Sequence, residues 1–239
     1  MHRFFVSPAH IRAGQIRLDA DILSHIRVLR LKPNEPFIIC NGAGQDYICH
    51  LDGRTAQIQS STKNTAEPKV HCAVYLAYAK GERLEYALQK CVELGAHSFT
   101  LFPAARSVVK YDATALSKKR LRWEKIVMEA AKQAGRGRIP VIHFADSFAA
   151  AISDAKTADM PLLFYEHEQK TSLKAALDTC PDFQSASLII GPEGGFADYE
   201  ITAAQEMGFA PVSLGARILR CETAPVAALA AVLFSAGEF

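Results

Sequence analysis

The chain has 239 residues and a formal net charge of only +2, with 49% hydrophobic and 22% charged residues. That balance excludes a disordered or collagen-like chain and leaves room for one large domain or two modest ones. The longest apolar run, residues 224–234, falls short of the roughly 20 residues that a bilayer span needs, and residues 1–12 lack the apolar core of a signal peptide, so a cytoplasmic protein with no membrane partner is expected.

In chain order, residues 3–6, 25–29, 36–40, 47–51 and 57–59 read as short strands. Asn41-Gly42 and Asp52-Gly53 supply hairpin turn signals between them. Short strands at this spacing suggest a small barrel, and residues 61–69 have linker composition. The expected division is therefore 1–69 and 70–239.

Beyond the linker, strands alternate with helices. Strands are expected at 70–78, 99–102, 141–143, 161–165, 187–190 and 211–213, and helices at 82–94, 116–134, 147–155, 172–177, 198–207 and 223–235. Leu84, Leu88 and Cys91 share one face of the first helix, which Gly95 closes. Trp123, Val127, Ala130 and Ala134 form the inner stripe of the second, which Gly135 stops. Such alternation implies an α/β domain with a mainly parallel sheet covered on both faces, and ligands bound beyond the carboxyl ends of its strands. The last helix is apolar nearly all round, so it must be buried on most sides; Thr223 is placed to cap it and Pro225 lies in its first turn. It is either a core helix or a surface shared with a second copy, and a homodimer is the expectation.

Two segments carry the chemistry. Gly191-Pro192-Glu193-Gly194-Gly195-Phe196 and Leu214-Gly215-Ala216-Arg217-Ile218-Leu219-Arg220-Cys221-Glu222-Thr223-Ala224 each follow a strand and open into a helix. Glycines at such junctions let backbone approach a ligand closely, although ordinary turns use them too. A phosphate-cradling loop wants bare N–H groups and a lysine, whereas this first loop carries Glu193 and no cation. A ligand with hydroxyls or positive charge suits it better, and S-adenosyl-L-methionine has both. Among the six cysteines no C-x-x-C pair and no cluster with histidine occurs, so no metal is expected, and Cys221 reads as a passive loop residue.

Charge is unevenly spread. Residues 101–140 hold ten cations against three anions, a net +7 that leaves −5 for the remainder. Such a cluster can neutralise phosphates of a nucleic acid, or simply be a solvated helix face.

The two loops together resemble the cofactor loops of the SPOUT methyltransferases, and are most similar to the family that methylates N3 of a uridine in small-subunit (16S) ribosomal RNA. Residues 80–86, 90–95, 106–108, 122–123 and 130–133 agree with that family, as do 1–6 and 25–30, so the resemblance spans the chain. It implies a small N-terminal PUA-like RNA-binding β-barrel, a C-terminal α/β domain tied in a trefoil knot, a dimer, and S-adenosyl-L-methionine held mostly by backbone. The implied cofactor residues are Ile190, Gly191, Glu193, Gly194 and Gly195 in the first loop, and Leu214, Gly215, Ile218 and Leu219 in the second. Glu166 supplies a third wall.

For such a transfer the chemistry needs a stabiliser of the uracil anion, and Arg220, supported by Arg217, is expected to supply it because both can aim fixed cations at the uracil oxygens, while Glu222 either accepts a proton or orients an arginine. The RNA grip is assigned to Arg3, Arg12, Arg27 and Arg30 in the barrel, and to Arg106, Lys110, Lys118, Lys119, Arg120, Arg122, Arg136 and Arg138 beyond it. The expected partner is small-subunit ribosomal RNA or the assembled subunit. Ala197 stands where a hydroxyl residue is common, which costs the following helix a cap, while Glu200 keeps the other half of the capping box. Two alternatives stay open: the same architecture acting on another RNA base, and a non-catalytic RNA-binding assembly factor.

Overall fold

The computed structural model describes residues 1–32 and 34–239, which divide into two compact units. The first comprises Met1–Glu67 together with Ala131–Ile139, and the second Pro68–Ala130 together with Pro140–Phe239.

In the first unit, β1 (Arg3–Phe5), β2 (Ile11–Arg12), β3 (Gln15–Arg17), β4 (Phe37–Cys40), β5 (Gln45–Asp52) and β6 (Thr55–Lys63) form one sheet in the order β1-β4-β5-β6-β3-β2. β1 runs parallel to β4, and the other pairings are antiparallel. Asn41 Oδ1 accepts from Ala43 N and Gln45 N to shape the β4–β5 turn, and Gly53 takes φ +61° in the next one. The strand β6 takes in the first three residues of the stretch read as linker.

Residues 25–29, read as a strand, are a correction: they belong to α1 (Ala20–Val28) and its C-cap, Leu29. Asp19 Oδ1 accepts from Ile22 N at 2.8 Å and starts the helix. Ile22, Leu23 and Ile26 then fall on one buried face, a helical spacing that the short window from His25 conceals. Phe4 packs edge-on against both Phe37 and His25, fixing the helix over the sheet.

The segment Ala131–Ile139 completes this unit through hydrogen bonds. Gly137 O accepts from Gly44 N and Cys40 Sγ, and Gly135 O accepts from Asn64 Nδ2. Arg136 is buried against Glu67, with Nη2 to Oε2 at 2.6 Å.

The second unit is α/β. Its strands are β7 (His71–Ala77), β8 (Ser98–Phe102), β9 (Val141–Phe144), β10 (Met160–Phe164), β11 (Ser185–Ile190) and β12 (Pro211–Val212). They form a parallel sheet in the order β12-β10-β11-β7-β8-β9. Around it lie α2 (Arg83–Leu94), most of α3 (Ala113–Gln133), α4 (Phe148–Ala155), α5 (Leu173–Leu177), α6 (Asp198–Glu206) and α7 (Ala224–Ser235). One apolar cluster joins Tyr75, Ile189 and Leu163 of the sheet to Phe148, Ile152, Phe196 and Ile201 of α4, α6 and the loop before α6. The central strands are apolar on both sides, as a doubly covered parallel sheet requires.

Trp123 of α3 is fully buried and stacks between Tyr78 and Phe144. On α7, Pro225, Ala228, Leu229, Val232 and Leu233 are buried, while Ala227, Ala230 and Ala231 are half-buried and Phe234 is 73% exposed. A single chain therefore covers only one side of a helix that the sequence makes apolar almost throughout. Thr223 makes no side-chain cap bond, because its backbone is already in the helical region and not in the extended one that an N-cap takes.

Among the described residues, no helix is long and apolar enough to cross a membrane, and no group of three or more His, Cys, Asp or Glu side chains is placed to hold a metal ion.

Candidate functional site

Because β10, β11 and β12 are parallel neighbours, their carboxyl ends deliver three loops to the same edge of the sheet. Those loops enclose a cavity of about 340 Å³, walled by Tyr165 and Glu166 after β10, by 190–193 and 195 at the end of β11, and by 213–215 and 217–222 after β12. This is the position at which an open α/β sheet takes its ligands.

Ile190, Gly191, Glu193 and Gly195 line the cavity, as do Leu214, Gly215, Ile218, Leu219 and Glu166. Gly194 does not. A Cβ on Gly194 would lie 3.1 Å from Arg106 Cβ, so this glycine makes room for Arg106, whose Nη1 donates to Gly194 O at 3.4 Å. Gly191 instead lies against the Phe196 ring, where a Cβ would come within 3.2 Å. Gly215 has φ +100° and open space where a side chain would stand, which exposes its backbone.

The cavity is charged but balanced, with Arg83, Arg217 and Arg220 against Glu166, Glu193 and Glu222. Glu193 Oε1 accepts from Lys80 N at 2.7 Å and from Arg83 Nη1 at 2.9 Å. Glu193 Oε2 is buried and has no hydrogen-bond partner among the described residues. Burial alone would raise this carboxyl, but the Lys80 N–H and the Arg83 guanidinium hold it below its ordinary value. Glu222 is shared, with Oε2 at 3.9 Å from Arg83 Nε and Oε1 at 4.0 Å from Arg220 Nη1.

The Cys221 thiol is pushed up to about 12 by burial and by the carboxylates of Glu222 and Glu193, so it is not a nucleophile at neutral pH. Arg217 and Arg220 are exposed at the cavity wall, and Arg217 makes no ion pair among the described residues.

The cations proposed for RNA separate into engaged and solvent-facing groups. Arg3 is held by both oxygens of Asp46, at 2.6 and 2.7 Å, and Arg136 by Glu67, each inside the first unit. On α3, Lys119 and Arg122 flank the buried Glu85 at 3.6 and 2.6 Å. Arg120 pairs with Glu124 and lies over the Phe144 ring. Arg12, Arg27, Arg30, Lys110, Lys118 and Arg138 are exposed. Arg106 is half exposed, with Nη2 3.8 Å from Asp198. Among the described residues, none of these cations lines the cavity.

Arg83 is the site residue that sequence reasoning misses. It sits at the start of α2, in no glycine loop, and its partners Glu193 and Glu222 are far away in sequence. The one local signal is the Lys80-Gly81 turn before the helix, where Gly81 takes φ +70°.

Comparison with known proteins places these features in context. A family model described as an RNA methyltransferase domain matches residues 66–233, and one described as an RNA methyltransferase PUA domain matches residues 18–59. The chain is 34% identical to the ribosomal RNA small subunit methyltransferase E of Bacillus subtilis, over 98% of this chain and 96% of that one. The same identity holds for the Mesomycoplasma hyopneumoniae protein of that name, over 95% and 96%. Among solved structures, a Legionella pneumophila methyltransferase in complex with the cofactor SAM superposes with a TM-score of 0.86 at 30% identity, covering 98% of this chain and 97% of that one. The ribosomal RNA small subunit methyltransferase E of Neisseria gonorrhoeae, bound to S-adenosyl methionine, gives 0.85 at 28%, with the same coverage.

Proposed function

The chain belongs to the ribosomal RNA small subunit methyltransferase E family of RNA methyltransferases, and on that premise we propose that it methylates N3 of a uridine in small-subunit ribosomal RNA. The observation that carries this reading is the convergence of the three loops after β10, β11 and β12 on one cavity of mixed charge. S-adenosyl-L-methionine is the cofactor, and the cavity suits it. Backbone of the glycine loops offers hydrogen bonds to an adenosine, the carboxylates of Glu166 and Glu193 favour hydroxyl and ammonium groups, and Glu193 Oε2 is buried and lacks a partner among the described residues.

That cofactor supplies an electrophilic methyl group on a sulfonium. Ile190, Gly191, Gly195, Leu214, Gly215, Ile218 and Leu219 would hold it through backbone and apolar contact, with Glu166 and Glu193 as polar walls. The remaining work falls on side chains that meet the base. Arg220, with Arg217 beside it, directs fixed positive charge at the uracil oxygens and so favours the N3 anion. Glu222 orients Arg220 or accepts the N3 proton. N3 lies on the pairing edge, so the base must enter unpaired or swung out of its helix.

The first unit and the solvent-facing cations supply the RNA grip in this reading, and the half-covered side of α7 supplies a homodimer contact. The setting is the cytoplasm, with ribosomal RNA or the small subunit as partner. The test is transfer of a labelled methyl group from S-adenosyl-L-methionine to small subunits, followed by mapping of the modified nucleotide. Label at uridine N3 upholds the reading; label at another base moves the assignment, and no label with a folded protein overturns it.

A further inference from the structure

Arg83 has a geometry that asks for a role. It is the first residue of α2, and its guanidinium joins two carboxylates carried by different loops: Nη1 is 2.9 Å from Glu193 Oε1, and Nε is 3.9 Å from Glu222 Oε2. The carboxylates are more buried than the arginine, with side chains 17% and 18% exposed against 42%. Two such carboxylates facing one cavity repel each other unless a cation stands between them. Lys80 contributes only a backbone N–H to Glu193. Among the described residues the other cation in reach of Glu222 is Arg220, which is 78% exposed and only 4.0 Å away, a distance from which it can close down onto Glu222.

We propose that Arg83 is a positioning residue for methyl transfer: by neutralising Glu193 and Glu222 together, it leaves Arg220 directed at the substrate instead of folded back onto Glu222. The inference rests on the proposed function for what Arg220 does, and on geometry alone for the charge balance. Without Arg83, Glu222 would take Arg220 as its sole counter-ion, and the cation would leave the cavity wall. Lysine at position 83 would retain the charge but lose the planar fork that reaches both carboxylates at once.

The experiment compares wild type with Arg83→Ala, Arg83→Lys, Glu222→Gln and the double variant Arg83→Ala/Glu222→Gln, each first checked for cooperative melting. Single-turnover methyl transfer is expected to fall on the order of 10- to 100-fold in Arg83→Ala, with Arg83→Lys intermediate. The loss caused by Arg83→Ala is expected to be smaller in the Glu222→Gln background, where the unbalanced charge is gone, than in the wild-type one, so that any loss from Glu222→Gln itself cancels in the comparison. A merely structural role for Arg83 predicts the same fold-loss in both backgrounds, and that result overturns the proposal, as does full activity in Arg83→Ala. If Arg83→Ala does not fold, the loss caused by Arg83→Lys in the same two backgrounds makes the same comparison.

A second readout needs neither cofactor nor RNA. Alkylation of Cys221 at one fixed alkaline pH, read by mass on its peptide, is expected to slow in Arg83→Ala and recover in the double variant, because the thiol faces the same two carboxylates. If wild type fails to transfer methyl while Cys221 responds in this way, the proposed function falls and the charge network stands. If Cys221 does not respond, the network itself is refuted.

Discussion

Gly195 and Glu166 compete for one place: a Cβ built on Gly195 would overlap the Glu166 carboxylate, with Cδ only 2.8 Å away. The two belong to the loops after β11 and β10 and face the same cavity. Gly195 also takes φ +66°, where any other residue is strained. Glu166 is exposed and its carboxylate is the far end of a flexible side chain, so Gly195→Ala should displace it from the cavity wall. The backbone strain should cost about 1 kcal/mol, and cofactor affinity should fall as Glu166 leaves. Calorimetric titration with S-adenosyl-L-methionine checks this through a cycle with Glu166→Ala. The two losses should not add, because each removes the same wall; additive losses would mean that Glu166 stays in place.

The cations of α3 do not share one role. Arg122 and Lys119 neutralise the buried Glu85, whereas Lys118 and Lys125 are exposed and make no ion pair among the described residues. Replacing Lys118 and Lys125 by Ala should leave the melting temperature unchanged and reduce the salt slope of RNA binding by about one for each phosphate that these lysines neutralise. Arg122→Ala should instead lower stability by at least about 1 kcal/mol, since it leaves Glu85 with poorer compensation. Binding isotherms at several salt concentrations, set beside melting curves, separate the two groups. An unchanged slope in the double lysine variant removes α3 from the RNA surface.

Much of this was legible in the sequence, for physical reasons. The alternation of apolar strands and amphipathic helices beyond residue 70 is a periodic signal, and the two glycine loops announce themselves through residues that tolerate positive φ or close approach. Helix α1 was not legible, because five residues from His25 alternate well enough to pass for a strand, while its N-cap, Asp19, lies outside that window. Arg83 was not legible either. Its function depends on Glu193 and Glu222, brought to it by the sheet and not by any local pattern. The same holds for Arg136, whose charge reads as part of a basic stretch until its burial against Glu67 is known.

That Glu67 pair gives the first unit an acid-sensitive joint. Burial would raise the Glu67 carboxyl, but Arg136 and the N–H groups of Arg138 and Gly137 outweigh it and hold the group below its ordinary 4.5. A depressed carboxyl contributes stability above its unfolded value and loses it as pH falls through the folded one, so the first unit should weaken below pH 4.5. Asp46, buried but held low by Arg3 and Asn64, acts in the same direction. Glu67→Gln should cost about 2 kcal/mol at neutral pH, because the charge-assisted hydrogen bonds between Glu67 and Arg136 are weakened. It should also flatten the acid limb of stability against pH. A wild-type limb that Glu67→Gln leaves unaltered would assign the acid loss elsewhere.

Cys221 tests whether the cavity uses a thiol. With its pKa pushed up to about 12, it is protonated at neutral pH. Its Sγ lies 3.4 Å from Glu222 Oε2, as expected of an S–H donor. Cys221→Ser preserves that donor and should keep methyl transfer within about threefold of wild type, an effect below about 1 kcal/mol. A loss of a thousandfold or more would require a covalent role for the sulfur and would replace the arginine-centred mechanism.

The start of α6 offers a gain rather than a loss. Ala197 stands at the N-cap with an extended backbone, φ −75° and ψ 152°, and has no side-chain acceptor to give. Glu200 supplies what bonding there is: Oε2 accepts from Ala197 N and Oε1 from Ala105 N, both at 2.9 Å, with the side chain buried. Ala197→Ser adds the missing acceptor in a conformation that already suits it, and should stabilise the second unit by about 1 kcal/mol. Glu200→Ala strands two N–H groups and should destabilise by about 2 kcal/mol or more. Because α6 begins where the glycine loop ends, the gain should appear in the melting temperature while the affinity for S-adenosyl-L-methionine stays unchanged. A melting temperature that rises together with a weaker cofactor affinity would mean that the loop must yield at Ala197 for the ligand to enter, and that the absent cap serves binding.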